Sequence, residues 1–233
     1  MTSMSPWKEI WIRPRAAIRG VIESNPNRAL WFLASIYGFD SLMNSCQKLG
    51  LGYTYNQYAI FLFSAVFSFL WGYLVFAIWS GALYLTGKIF KGEGTFSTIR
   101  AAYAWSCVPL AGNIPLWILL AALFGPQLFT SSLTSGALTN QQVFVLFLCI
   151  IGRLTFVIWS LVIFFNALAE VQRYSILKAI LNTLCAALFL TAVYMILWWI
   201  GAQLFTAGNS MPRAGTLFWS ESYSLEALRE YIR

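Results

Sequence analysis

Polar and apolar positions are distributed along this chain in long blocks. No Asp, Glu, Lys or Arg occurs in residues 49–87, 101–152 or 179–212. Each block exceeds the roughly 20 apolar residues that cross about 30 Å of hydrocarbon. The pattern predicts membrane-spanning helices over residues 59–85, 101–124, 143–168 and 180–205. A shorter segment, 29–45, is interrupted by Asp40 and Asn44 and predicts a first span that depends on Asp40 being neutralised. Pro109 and Pro115 fall in the third span, where loss of backbone donors predicts a kink that neighbouring helices accommodate. The fold class expected is an all-α polytopic bundle of five transmembrane helices.

The flanks differ in kind. Residues 1–28 form a basic leader in which Pro14 suits the first turn of a short helix, with Ala17, Ile18, Val21 and Ile22 on one side. Arg13, Arg15 and Arg19 fit contact with anionic lipid at the headgroup level, and a plain solvated leader is the other reading. Residues 206–233 form a polar tail whose end, 224–233, suits a short amphipathic helix on Leu225, Leu228 and Ile232. The spread of arginines and the lack of a small-residue cleavage site argue against a cleaved signal peptide.

Composition agrees with this division. Of 233 residues, 59% are hydrophobic and 10% charged, against about a quarter charged in an ordinary soluble domain. The net charge of +7 sits in the connecting segments, so it orients the chain and does not suggest nucleic acid. With the leader inside, Lys8, Arg13, Arg15, Arg19, Arg28, Lys88, Lys91, Arg100, Arg173 and Lys178 place ten cations inside; Lys48, Arg213, Arg229 and Arg233 place four outside. The bias predicts an inside N-terminus and an outside C-terminus. Trp198 and Trp199 then belong to the outer aromatic belt. No internal repeat suggests an inverted-repeat transporter.

Chemistry is sparse. Histidine is absent, which removes Ser-His-Asp and Cys-His nucleophile systems and histidine metal sites. The four cysteines, Cys46, Cys107, Cys149 and Cys185, lack metal or redox spacing. Gly92-Glu93-Gly94 has neither a preceding strand nor a phosphate-loop lysine, so it is a flexible turn and not a nucleotide fingerprint. No cofactor and no metal are expected.

Two charges fall inside spans. Asp40 lies eleven residues from Ala29, roughly 17 Å deep at about 1.5 Å per residue, and Arg153 ten residues from Val143, roughly 15 Å from the other side. Both reach the midplane, and intramembrane charges face partners or wet cavities. They are expected to pair, as an internal staple or as part of a proton or ion path. Glu170 and Arg173, one turn apart, fit an i,i+3 ion pair, or a docking surface built with Lys88, Lys91 and Arg100.

Three stretches resemble the bacterial branch of the Yip family (Ypt-interacting proteins). They are Pro6-Trp7-Lys8-Glu9-Ile10-Trp11-Ile12-Arg13-Pro14-Arg15 with Asn25-Pro26-Asn27-Arg28, Gly92-Glu93-Gly94-Thr95-Phe96 with Ala101-Ala102-Tyr103-Ala104-Trp105-Ser106-Cys107-Val108-Pro109, and Leu168-Ala169-Glu170-Val171-Gln172-Arg173-Tyr174-Ser175-Ile176-Leu177-Lys178-Ala179. In the last, Gln172 stands where a histidine is common. The likeness covers residues 6–205 and implies a five-helix, multi-pass protein of the bacterial inner membrane with no established enzymatic activity. Eukaryotic relatives are associated with Rab-type GTPases, but this chain lacks their long polar N-terminal domain and "DLYGP"-type motif, so that role is not carried over. The function expected is non-enzymatic: membrane organisation or protein partner binding, with the lipid bilayer, protein partners or a second copy as contacts. The alternative is a small-solute or ion transporter using Asp40 and Arg153.

Overall fold

The computed structural model describes residues 5–130 and 138–210, with side chains as far as Gln203. The described residues are mostly helical, joined by short turns, without strands. The expected amphipathic segment at 224–233 lies outside the described residues.

The leader contains α1 (Pro6–Glu9) and α2 (Pro14–Ser24), each with proline in its first turn, where its missing N–H costs nothing. Then follow α3 (Leu30–Lys48), α4 (Gln57–Ile89), α5 (Phe96–Ser106), α6 (Asn113–Phe124), α7 (Asn140–Gln172) and α8 (Ile176–Ser210). Among the described residues, four helical segments are long and apolar enough to cross a membrane: α4, the α5–α6 segment Phe96–Phe129, α7 and α8. The chain forms two compact units, Met1–Ala187 and Leu188–Arg233. In the second, the described side chains of α8 are exposed and mostly apolar, and Tyr194 stacks on Trp198 at 6.4 Å.

Helix starts lie several residues ahead of the apolar blocks because polar caps set them. Asn56 accepts from the Ala59 N–H at 2.8 Å, and Thr95 and Thr139 open α5 and α7 with capping boxes. The expected third span is a composite. Cys107 ends α5, Pro109 sits in the 3-10 turn Val108–Gly112, and α6 restarts at Asn113. Pro109 therefore breaks the segment, whereas Pro115 occupies the first turn of α6, where the expected kink is unnecessary. The early start of α5 also moves Arg100 from a loop onto a helix.

In the first unit, α3 and α4 form an antiparallel pair with backbones in close contact. A Cβ on Gly38 would meet the Ser68 carbonyl, and one on Gly72 would meet the Ala34 carbonyl. Buried Ser64, Ser68, Gly72, Phe76 and Ser80 recur every four residues along α4, a small-residue seam typical of membrane helix pairs. Two apolar clusters follow along this pair. One gathers Ile18, Val21, Leu33, Phe76, Trp105 and Ile163 toward the leader end. The other gathers Met43, Ile60, Trp117, Phe124, Phe129 and Cys149 toward the opposite end.

Candidate functional site

Between the two clusters lies the charged centre. Asp40 on α3 and Arg153 on α7 approach to 3.7 Å, Asp40 Oδ1 to Arg153 Nη2, with side chains 13% and 20% exposed. Each has closer partners. The Trp117 indole N–H donates to Asp40 Oδ1 at 2.8 Å, and Arg153 Nη2 donates to Asn44 Oδ1 at 2.7 Å. Asn44 Nδ2 donates to the Asp40 carbonyl at 2.6 Å, four residues back on α3. The Arg153 guanidinium lies 4.2 Å over the Trp117 ring, a cation–π contact with the indole that also holds Asp40. Three helices thus share one hydrogen-bonded centre, in which each charge meets an opposite charge and a polar group.

The second charged assembly sits where α2, the α4–α5 turn and the end of α7 meet. Arg15 Nε donates to Asn166 Oδ1 at 3.2 Å, and Arg19 donates twice to Glu170 Oε1, at 2.9 and 2.6 Å. Both pairs have a sequence separation of 151, so α2 and α7 run side by side in the same direction here. The hydrogen bond and charge of Glu170 push the Arg19 guanidinium above its ordinary value. Arg15 and Arg19, expected to meet lipid, bond to α7 and stay exposed, as does Arg13. The docking follows from the opposite stripe of α2: Ala17, Ile18 and Val21 are buried, so the basic edge lands against α7.

The expected Glu170–Arg173 ion pair is replaced. Arg173 caps α7 in the left-handed conformation, φ 54°, which swings its side chain off the helix to Glu93 at 3.4 Å, while Glu170 bonds Arg19. These residues border an open cavity of about 860 Å³, whose wall includes Arg15, Arg19, Glu23, Glu93, Glu170 and Arg173. Of the cations expected to join Glu170 and Arg173, none lines it. Lys88 lies over the Tyr84 ring at 4.9 Å, and Lys91 is exposed on the turn. Arg100 donates to the Tyr73 hydroxyl at 3.0 Å and to Asn27 Oδ1 at 2.8 Å.

The Yip1 domain family profile matches residues 8–214. The chain belongs to the Yip1 family. No curated protein and no solved structure matches it significantly. The family is not known for enzymatic activity. Membership joined with four membrane-capable helices makes this an integral membrane protein.

Within this Yip1 domain, Gln172 organises the turn beside the charged cavity. It is 2% exposed; its Oε1 accepts from the Gly94 N–H at 3.1 Å, and its carbonyl accepts from the Glu93 N–H at 3.3 Å. A Cβ at Gly87 or Gly92 would collide with the Gln172 amide, so these glycines leave room for it. Nearly two turns into α8, Asn182 accepts from Thr86 Oγ1 at 2.6 Å and donates to the Tyr174 hydroxyl at 2.7 Å. Burial pushes the Tyr174 phenol up to about 12. Gln172, Asn182, Glu93, Glu23, Asn44 and Trp117 escaped the reading of sequence alone. The one local signal was the glycine spacing 87, 92, 94, which marks a turn built around a neighbour's side chain.

Proposed function

We propose that this protein is a non-enzymatic scaffold of the bacterial inner membrane, acting in membrane organisation or partner binding through the charged cavity at the end of α7. In this reading α3 is the fifth crossing, the leader and cavity lie inside, and the C-terminus lies outside. The observation that carries it is the contrast between the two charged assemblies. At the midplane, Asp40 and Arg153 are largely buried and bonded to Trp117, Asn44 and each other, the state of a staple. At the cavity, the Arg19 and Arg173 side chains are 64% and 77% exposed, open to a second molecule. Length supports the fifth crossing: the 19 residues of α3 extend about 28 Å, close to the hydrocarbon thickness.

Photocrosslinking in cells tests this reading. A photoreactive residue at Thr98, on the cavity wall, is expected to capture a reproducible set of neighbours that one at Leu188 does not. Identical captures from both positions sink the scaffold reading of the cavity. The transport alternative predicts instead that Asp40→Asn abolishes a flux while expression stays intact. Reporter fusions at either end test the orientation: an inside signal from the C-terminus refutes it.

A further inference from the structure

The cavity's charges balance: Arg15, Arg19 and Arg173 against Glu23, Glu93 and Glu170. A polyanionic ligand would meet as much repulsion as attraction there, which disfavours nucleotides and multiply phosphorylated headgroups. The internal pairs Arg19–Glu170 and Arg173–Glu93 account for four of the six charges. Arg15 and Glu23 remain. Arg15 uses only Nε on Asn166, which leaves both Nη groups available, and Glu23, which feels the Arg19 charge four residues back, makes no salt bridge among the described residues. They stand on one helix, eight residues and about 12 Å apart at ~1.5 Å rise, a distance that two flexible side chains shorten by leaning together.

The neighbourhood is that of a bilayer surface. The 33 residues of α7 extend about 50 Å, well beyond the ~30 Å of hydrocarbon, and on the proposed orientation its polar last turns, where Glu170 sits, form the overhang. Just ahead of α2, Trp11 and Ile12 are exposed, Ile12 to 74%, and just after Tyr174, Ile176 and Leu177 are exposed too. Apolar side chains on both flanks of a charged cavity suit acyl chains beside a headgroup.

We propose that the cavity binds the zwitterionic headgroup of a bilayer phosphatidylethanolamine, its phosphate on the Arg15 guanidinium and its primary ammonium on the Glu23 carboxylate. The inference rests on the scaffold reading of this site and names its ligand class. A charge-assisted bond at each end accounts for selectivity. Phosphatidylglycerol carries the phosphate and lacks the ammonium, while phosphatidylcholine carries a quaternary ammonium that cannot donate a hydrogen bond.

The test is native mass spectrometry of the full chain, released from detergent with equimolar phosphatidylethanolamine, phosphatidylglycerol and phosphatidylcholine of identical acyl chains. Retention of phosphatidylethanolamine is expected to exceed that of the other two by about fivefold to tenfold, the ratio one charge-assisted contact supplies. Glu23→Gln should erase that preference over phosphatidylglycerol, and Arg15→Gln should lower retention of both. Both changes lie on the exposed edge of α2, and the comparison among lipids on the unaltered protein stands without them. Equal retention of phosphatidylglycerol overturns the proposal, as does a preference unchanged by Glu23→Gln. Water-soluble phosphoethanolamine separates the sources: displacement of the lipid at equal concentration would mean the free compound is the ligand, which also overturns it. A mixed-charge peptide captured at Thr98 with no lipid selectivity would refute the lipid and leave the scaffold standing.

Discussion

Removing Arg153 alone should cost more than removing both charges of the Asp40–Arg153 pair. Arg153→Met keeps an apolar stem over Trp117 but leaves the Asp40 carboxylate without its cation. Breaking a buried pair this way costs about 3–5 kcal/mol in dry interiors. The 3.7 Å separation exceeds a hydrogen bond, and Asp40 keeps the Trp117 N–H, so the cost falls at or just below the lower end of that range. We expect about 2–3 kcal/mol for Arg153→Met. Asp40→Asn leaves Arg153 its Asn44 bond and the Trp117 face and should cost about 1–2 kcal/mol. The double variant replaces two buried charges by neutral groups of similar size and should lie near the milder single variant, a coupling of about 2 kcal/mol. Reversible unfolding in mixed micelles, followed by tryptophan fluorescence, measures the cycle. Additivity within about 0.5 kcal/mol would refute the shared centre and leave two separate local solutions.

The close α3–α4 pair makes Gly38→Leu and Gly72→Leu destabilising by at least about 1–3 kcal/mol in the same unfolding assay, because the first new atom meets backbone that cannot move aside. Gly20→Ala, inside α2 with nothing within 4 Å, should stabilise slightly, by about 0.5–1 kcal/mol, and equal losses at the three positions would discredit the packing argument. Gln172→Ala should cost about 1–3 kcal/mol by leaving the buried Gly94 N–H unpaired, whereas Gln172→Asn, one methylene short, should recover little. Increased protease cleavage between residues 90 and 95 in Gln172→Ala is the direct readout, and unchanged cleavage would argue against the tie. Tyr174 has a raised folded value, so its contribution to stability is complete below the ordinary phenol value of 10.0 and is lost as pH rises toward about 12. A phenolate absorbance titration should lose one late-titrating component in Tyr174→Phe, and an unaltered curve would show that Tyr174 does not titrate late.

The charge-free blocks made the helices legible because a bilayer requires length and apolarity of any crossing segment. The meeting of Asp40 with Arg153 was also within reach, since the rise per residue converts position into depth. Trp117 and Asn44 were not. Pro109 interrupts the third segment, and the restart at Asn113 resets which face Trp117 presents, so its aim at Asp40 cannot be counted from the start of the block. The apolar stripe of α2 was legible from its helical spacing, but its landing place was not. The pairing of Arg15 with Asn166 and of Arg19 with Glu170 joins residues 151 apart, a register no local pattern encodes. At Glu170 and Arg173 helical spacing misled, because the left-handed cap takes Arg173 off the face that the spacing assumes.

The two sets of charges therefore differ in what they contribute. The leader's attachment rests on apolar burial: Ile10, Ile18 and Val21 are fully buried, and Trp7 packs on Trp105 at 4.7 Å. Each such aliphatic side chain contributes about 1.5–3 kcal/mol on burial, far more than an exposed ion pair, whose median is about 0–1 kcal/mol. Breaking the Arg19–Glu170 contact should then leave α2 docked. A ligand can recruit these side chains without dismantling the fold, because the apolar stripe, and not the Arg15–Asn166 and Arg19–Glu170 contacts, holds α2 in place. On the proposed reading, the exposed charges of the cavity, which contribute little to holding the structure, are placed for recognition, while Asp40 and Arg153, largely buried and bonded to Trp117 and Asn44, are placed for cohesion.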